Sequence, residues 1–393
     1  MAERKLKDWL DAYLRYTDNS EPPELYRKWV GLSIIAAALQ RRCWTEWESR
    51  IYPNQYIVLV GPSGGARKGT AMAPGLNLLL NEPVVKLSAE STTREALIRK
   101  MKNIAVVEPL KDGTVRTHSS ITIFSPELTV FLGYKNEQFL TDLTDWYDCR
   151  DPWTYETKGQ GIDEILGVCV NLIGATTPEM LQHALPPITV GGGLTSRIIF
   201  VYAERKGKIV PLPFLSPEER AIFDDLQHDL SVITQLEGAF TFTDGYLKRR
   251  VEWYIAQHDN PPFLDPKFWG YLERRATHLL KISMAVSASR DNSMVLTEDD
   301  FDRALKWLLE VEKPMERVYR GYGRKDYAPL MPQILRIVRM QKETLFTDLM
   351  KTYCKDLDTR ELMEILSVYE RMKVLKMTRI ERDIVITVLE SDA

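Results

Sequence analysis

Two rhythms of apolar and polar positions divide this 393-residue chain. From Tyr56 to Ala203, short continuous apolar runs alternate with stretches whose apolar residues recur three and four positions apart. Runs that are apolar on both faces suit strands of a buried parallel sheet, and the 3.6-residue period suits helices. The runs predict strands over 56–60, 84–87, 119–125, 167–174 and 197–203, with helices such as 91–102, 136–146 and 178–184 between them. Before this region, residues 5–17 and 24–48 read as two amphipathic helices. The second follows Pro22-Pro23, a helix start, and repeats Trp29, Leu32, Ile35, Ala36 and Leu39 on one face. After it, residues 215–312 are mainly helical, with repeats over 216–234, 244–258, 266–288 and 298–312. A basic, glycine-spaced stretch from Arg317 to Lys325 then leads to a last segment that reads helix, helix, helix, strand, turn, strand. Its helices fall at 330–341, 345–355 and 359–372 and its strands at 374–378 and 384–389. Three helices followed by a hairpin form the winged-helix arrangement. The expected class is α/β. The parts are an N-terminal helical collar (1–50), an α/β core (51–212), a helical lid (213–316), a linker (317–327) and a winged helix (328–393).

The chemistry concentrates where the first strand ends. Tyr56 to Val60 empties into Gly61-Pro-Ser63-Gly64-Gly65-Ala66-Arg67-Lys68-Gly69-Thr70, and a helix-compatible segment follows. Glycines let successive backbone N–H groups converge on an anion, and the helix adds the positive end of its dipole. A lysine then reaches the β- and γ-phosphates, and a hydroxyl ligates magnesium. The loop is about one residue longer than the usual G-x-x-x-x-G-K-[ST] pattern, because Arg67 precedes Lys68 and Gly69 separates Lys68 from Thr70. Lys68 is the phosphate lysine on this reading and Thr70 the magnesium ligand. The alternative is a glycine-rich strand-to-helix turn with no ligand.

Three further positions extend the constellation. The strand Ser119 to Ser125 ends in Pro126-Glu127. An acid at the carboxyl end of a parallel strand faces the crevice where ligands bind and polarises an attacking water. Pro126 stands where an Asp is usual, so Ser125 and Thr70 are left to hold the metal. Otherwise Glu127 caps the helix Leu128 to Leu132. The strand from Val168 ends in Thr176-Thr177-Pro178. Thr177 fits a helix cap, Thr176 a polar sensor, and Asn171, inside the strand, a structural hydrogen bond at least as well as a sensor. Arg197 follows the run Gly191-Gly192-Gly193 directly before a strand. It is placed either to reach a triphosphate bound by a neighbouring subunit or to sit idle at a surface.

Composition narrows the class without naming it. The chain is 44% hydrophobic and 27% charged, with a net charge of −3, as in an ordinary soluble globular protein. That balance argues against a basic nucleic-acid coat but allows a local patch or a ring lumen. Four cysteines show no C-x-x-C pair and five histidines no ligand spacing, which argues against a zinc site or a disulfide frame. Met1 to Lys5 holds no apolar signal region, and Trp29 to Leu39 is too short to span a bilayer. A cytoplasmic protein away from membranes is expected.

Together, the order of Tyr52-Pro53-Asn54, the GPSGGARKGT loop, the strand ending in Glu127, the Asn/Thr strand and Leu-Thr-Ser-Arg197 resembles the AAA+ helicase-like ATPases of phages and prophages. These are akin to superfamily III and minichromosome-maintenance helicases and to the helicase half of primase-helicases. The resemblance covers roughly residues 20–312. It implies a ring, a hexamer by analogy, that uses ATP and Mg²⁺ to move on DNA, with a separate primase or polymerase as partner. Lys68 would then be the phosphate lysine, Glu127 the catalytic acid, Asn171 the first sensor and Arg197 the finger acting across subunits. Trp153 to Ile162 resembles the hairpin that ring helicases project into the channel, with Lys158 at its tip meeting single-stranded DNA; the alternative is an ordinary solvated turn. Glu273-Arg274-Arg275 resembles the lid helix that carries a second sensor, Arg274 first and Arg275 its rival, and a surface salt bridge explains either equally well. In the last segment, basic Lys373, Lys376, Arg379 and Arg382 offer the wing to duplex phosphates, whereas Glu361 and Glu364 disfavour the third helix. The remaining alternatives are a helicase loader and a DNA-binding initiator whose nucleotide loop is only a switch.

Overall fold

The computed structural model describes residues 2–109, 115–133, 136–157, 161–185, 191–319, 330–354, 356–380 and 383–389. It is a mixed α/β architecture in which several helices pack on several small sheets. The chain divides into two compact units, Met1–Arg320 and Gly321–Ala393.

The first unit opens with helices α1 (Trp9–Tyr16) and α2 (Glu24–Leu39), then strands β1 (Cys43–Glu46), β2 (Arg50–Ile51) and β3 (Tyr56–Val60). Helices α3 (Lys68–Leu80) and α4 (Arg94–Asn103) precede strands β4 (Val106–Pro109) and β5 (Val115–Ser125). Next come α5 (Leu128–Leu132), α6 (Glu137–Tyr147), the hairpin strands β6 (Trp153–Thr157) and β7 (Gly161–Ile165), β8 (Val168–Thr176), α7 (Pro178–Ala184) and β9 (Ile198–Tyr202). The unit ends with α8 (Pro217–Ile233), β10 (Gly238–Phe242), α9 (Asp244–Asp259), α10 (Trp269–Arg290), β11 (Val295–Leu296) and α11 (Glu298–Met315).

The central sheet has the order β4-β5-β8-β3-β9. Strands β5, β8, β3 and β9 run parallel, and β3 and β8 are buried at every residue. Unbroken apolar runs have this consequence: a strand covered on both faces leaves no polar side to alternate with. Helix α2 is apolar around nearly its whole circumference and buried accordingly, including Trp29, Ile34, Ile35 and Leu39. It is therefore a core helix of this unit and not an amphipathic one lying on a surface.

Two expectations need correcting. The helix expected over 24–48 stops at Leu39; Gln40 takes a φ of 54°, and Cys43 to Thr45 instead pair in parallel with Gly238 to Phe240. Cross-strand pairing of β-compatible residues overrides their continuation of a helical pattern. This pairing builds a second sheet, β11-β10-β1-β2, for which the helical reading of 215–312 left no place. The strand expected over 84–87 is reduced to one parallel bridge, Leu87 with Thr122, held by Ser88 N–H to Thr122 O (2.9 Å) and Thr122 N–H to Lys86 O (2.8 Å).

The second unit carries α12 (Met331–Gln341), β12 (Glu343–Leu345), α13 (Phe346–Tyr353), α14 (Thr359–Arg371), β13 (Leu375–Ile380) and β14 (Asp383–Val388). Its antiparallel sheet has the order β12-β14-β13. Ile334, Val338, Leu349, Leu362, Ile365, Leu366, Leu375 and Ile386 form a separate core. Helix α14 begins with a capping box in which Asp358 accepts from Glu361 N–H (2.8 Å) and Glu361 from Asp358 N–H (2.9 Å). Among the described residues no helix is long and apolar enough to cross a membrane.

Candidate functional site

The glycine-rich loop leaves the carboxyl end of β3, in the middle of the parallel sheet. Gly61 admits no side chain, because a Cβ there would collide with Ala203 O and come within 2.7 Å of the Tyr26 hydroxyl. That hydroxyl, from α2, donates to Val60 O at 2.7 Å and fixes the strand end under the loop. Pro62, Ser63, Gly64 and Gly65 are exposed, Ala66 is buried as the loop's anchor, and Gly64 takes a φ of 69°. Arg67 sits in the left-handed region (φ 55°, ψ 41°) immediately before α3, a place that favours glycine. Its side chain turns away from the loop and pairs with Glu21 at 2.7 Å, and Lys206 pairs with the same carboxylate at 2.6 Å.

Lys68 is the first residue of α3. Its ammonium donates to Gly61 O (2.6 Å) and Pro62 O (3.0 Å). Partial burial lowers its pKa, and the facing carboxylates Glu127 and Glu179 oppose that shift. The lysine is thus held by the loop carbonyls and lies within electrostatic reach of Glu127, after β5, and Glu179, in the first turn of α7. Gly69 and Thr70 are exposed in the first turn of α3, and nothing lies within 4 Å of the Gly69 Cβ position.

Ser125 closes β5, buried, in register with Gly174 of β8. Glu127 occupies the cap position of α5, but its side chain caps nothing; it is exposed and within electrostatic reach of Lys68. Thr176 ends β8 beside the loop, where its carbonyl accepts from Gly61 N–H at 3.3 Å. Thr177 caps α7 by accepting from Met180 N–H at 3.3 Å. One strand, β8, separates the loop strand from the acid strand. Two strand spacings of about 4.8 Å put the carboxyl ends of β3 and β5 roughly 10 Å apart.

Asn171 is not brought to this corner. It lies five residues back along β8, roughly 16 Å at strand rise. Its amide is fully used there: Oδ1 accepts from Gln55 N–H (3.0 Å) and Nδ2 donates to Ser33 O and Oγ (both 3.1 Å). A buried amide so satisfied ties β8 to α2 and has no donor left for a ligand.

Arg197 and Arg274 gather at the opposite, amino-terminal edge of the sheet. Arg197 sits one residue before β9 and is buried. Its Nε donates to Asp148 Oδ1 (3.3 Å), its Nη1 to Gly193 O (2.8 Å), and its Nη2 pairs with Asp148 Oδ2. Arg274, from α10, donates to Asp148 Oδ1 at 3.1 Å. Two guanidinium groups therefore share one carboxylate at the end of α6. The rival Arg275 points inward and grips buried Glu312 with two bonds of 2.6 and 2.8 Å, so it is structural. His278 locks this edge: its ring bonds the Tyr147 hydroxyl (3.2 Å) and Ser196 O (3.0 Å), the residues preceding Asp148 and Arg197. Lys281 is fully buried and donates to Tyr52 O, Asn54 O and Asn54 Oδ1, and burial brings its pKa down to about 8. A cleft of about 300 Å³ opens beside these groups, lined in part by Trp47, Arg50, Asp148, Arg274 and Lys281.

Buried His278 and His118 make acid stability testable. Burial lowers His278 to about 3 and His118 to about 4, against an ordinary 6.5; Glu108 opposes the shift at His118. The unfolded chain takes up protons that the folded one refuses. This stability contribution is full above pH 6.5 and is lost as pH falls toward 4. Thermal unfolding followed at pH 7, 5.5 and 4.5 is expected to show a falling midpoint, with a shallower fall in His118→Asn. A flat profile in the wild type would contradict the neutral buried rings.

Strands β6 and β7 form the expected hairpin, but Lys158 and its turn lie outside the described residues. The strands are held to α4 by Lys102–Asp163 (2.7 Å) and by Arg94 stacked on Tyr155 (4.5 Å to the ring centre). In the second unit Lys376 and Arg379 are both exposed, but their positions three apart on β13 put them on opposite faces. They therefore do not form one phosphate-gripping patch. Arg382 and residues 320–329, which include most of the basic linker, also lie outside the described residues. Among the described residues no three His, Cys, Asp or Glu side chains are grouped to hold a metal ion. Compared with known proteins, the chain matches no family model and no curated protein.

Proposed function

We propose that this chain is an ATP-hydrolysing, ring-forming motor that moves on or opens DNA in the replication of a phage or other mobile element, with an AAA+-type core and a C-terminal winged helix. One observation carries the reading. At the carboxyl edge of a parallel sheet stand an exposed glycine-rich loop, a helix-initiating lysine and a glutamate that caps no helix and acts electrostatically on that lysine. This is where open α/β sheets bind ligands.

The residues fit the chemistry. Loop N–H groups and the α3 N-terminus supply an anion cradle, and Lys68 adds charge for the β- and γ-phosphates. Thr70 and Ser125 would hold Mg²⁺, with phosphate oxygens and water completing the hard oxygen set it prefers. Bound there, the metal would neutralise charge on the phosphates. Glu127 orients a water in line with the γ-phosphate and takes its proton as the bond to the leaving phosphate breaks. Arg197 and Arg274 lie a strand's length from this crevice, too far to serve it within one chain. They suit a nucleotide held by a neighbouring copy, which supports the ring.

The winged-helix part of the proposal rests on the second unit's order of helix, short strand, two helices and hairpin. The DNA part rests on the β6–β7 hairpin strands and on the sequence expectation for Lys158, which follows β6 in the chain. Phosphate release measured with and without single-stranded DNA tests the reading. Stimulation by DNA is expected, and Lys158→Ala should leave basal turnover intact while removing the stimulation and flattening the salt dependence of DNA binding. Deleting residues 328–393 should weaken duplex binding but spare stimulated turnover. Turnover indifferent to DNA, together with a monomeric particle in ATP, would sink the motor. Stimulated turnover that fails to unwind a forked duplex would favour a loader.

A further inference from the structure

Two apolar surfaces of the first unit stand uncovered, one beside each half of the divided site. The first is the segment Ile209-Val-Pro211-Leu212-Pro213-Phe214-Leu215, which follows β9. Ile209, Leu212 and Phe214 are 75%, 68% and 76% exposed. The segment starts at the loop: Gly207 N–H donates to Glu21 O (2.9 Å), and Lys206 shares the Glu21 carboxylate with Arg67. Alternate prolines favour an extended, polyproline-like strap with little conformational freedom left to lose.

The second surface is a groove of about 430 Å³ between the end of α9 and the first turns of α10. Tyr254, Ile255, Pro261, Pro262, Leu272 and Ala276 line it, and Asp259 and Glu273 supply its acidic part. Arg274 projects from another side of the same α10 segment and pairs with Asp148. An extended proline-bearing strap is what an aromatic- and proline-lined groove binds at low entropic cost. The charges also match: exposed Arg205 flanks the strap, Lys208 being paired with Asp18 at 3.0 Å, and Asp259 and Glu273 make the groove acidic.

We infer that the strap of one copy docks in the α9–α10 groove of the next. The contact is heterologous, joining two different surfaces, and such contacts close into rings when the rotation permits. It sets the loop of one copy against the arginine pair of its neighbour, and in that respect it rests on the divided-site reading above.

Cross-linking of the full chain tests the contact. Cys354 is the exposed cysteine and is first changed by Cys354→Ser; Cys43, Cys149 and Cys169 are buried. One protein then receives Phe214→Cys and another Ile255→Cys, and a short bis-maleimide is added to each alone and to their mixture. A cross-linked dimer in the mixture and in neither alone is the expected result. No link in the mixture, or a link within either protein alone, overturns the contact. In sedimentation, Phe214→Asp should weaken self-association about tenfold or more while leaving ATP binding unchanged. Unchanged association in that variant also overturns it. Nucleotide binding measured on the same samples separates the two ideas. A link formed by a chain that binds no ATP keeps the contact and sinks the loop's role, whereas ATP binding without a link does the reverse.

Discussion

Glu127→Gln will leave ATP bound and slow its hydrolysis by about 10²- to 10⁴-fold, the range a positioned general base contributes. Gln keeps the size and the cap position at α5 but cannot accept the proton of the attacking water. The side chain makes no capping bond in the native structure, so the fold loses nothing by the change. Lys68→Ala is expected to act differently. It removes the cation that the loop carbonyls and Glu127 bracket, so both affinity and turnover fall. A charged hydrogen bond lost to phosphate corresponds to about 1.5–3 kcal/mol of binding. Arg67 will not substitute, because its guanidinium is held on Glu21. Nucleotide affinity and phosphate release measured on both variants separate the roles. Normal hydrolysis by Glu127→Gln would return that residue to an ordinary surface acid.

How much of this was legible in the sequence follows from what kind of interaction each feature needs. The parallel strands were readable because burial on both faces writes an unbroken apolar run, as in Tyr56 to Val60 and Val168 to Thr176. The turn from β3 into α3 was readable because an apolar run ends in Gly61-Pro62-Ser63-Gly64-Gly65, residues that punctuate strand from helix. The β1–β10 pairing was not, since Cys43-Trp44-Thr45 continues a helical pattern and meets Gly238 only through long-range contact. Asn171 misled for a related reason. An Asn in a buried strand signals a hydrogen bond, but sequence does not say whether a ligand or Gln55 and Ser33 supply it. Asp148 and His278 went unnoticed because nothing local marks them; they matter through Arg197, Arg274 and Ser196, which lie far away along the chain. The two arginines did carry half a signal, because buried or crowded guanidinium groups require a carboxylate somewhere.

That shared carboxylate shapes the second large effect. Mixing Arg197→Ala protein with Lys68→Ala protein should restore ATPase activity that neither has alone. A mixed interface pairs an intact loop from the first with an intact arginine edge from the second. An arginine supplied across an interface is worth about 10³–10⁵ in turnover, so even a small fraction of repaired sites is measurable. The geometry favours this arrangement under the proposal: Arg197 lies one residue before β9, whose first residue Ile198 is in register with Tyr56, whereas the loop leaves at Val60, opposite Tyr202. Four strand steps of about 3.3 Å exceed what the side chain can span while anchored at Gly193. Asp148→Asn distinguishes a working finger from a structural ion pair. As a positioning residue, Asp148 acts through both arginines. Its loss should lower kcat with little change in the KM for ATP, whose binding rests on the neighbour's loop. Thermal stability should fall too, because a buried guanidinium loses its partner. Arg197→Lys should keep the charge but not the forked pairing, and so recover stability more than turnover. If mixed particles form and no activity returns, Arg197 and Asp148 are a structural clasp, and the arginine that completes the site must be sought elsewhere on that edge.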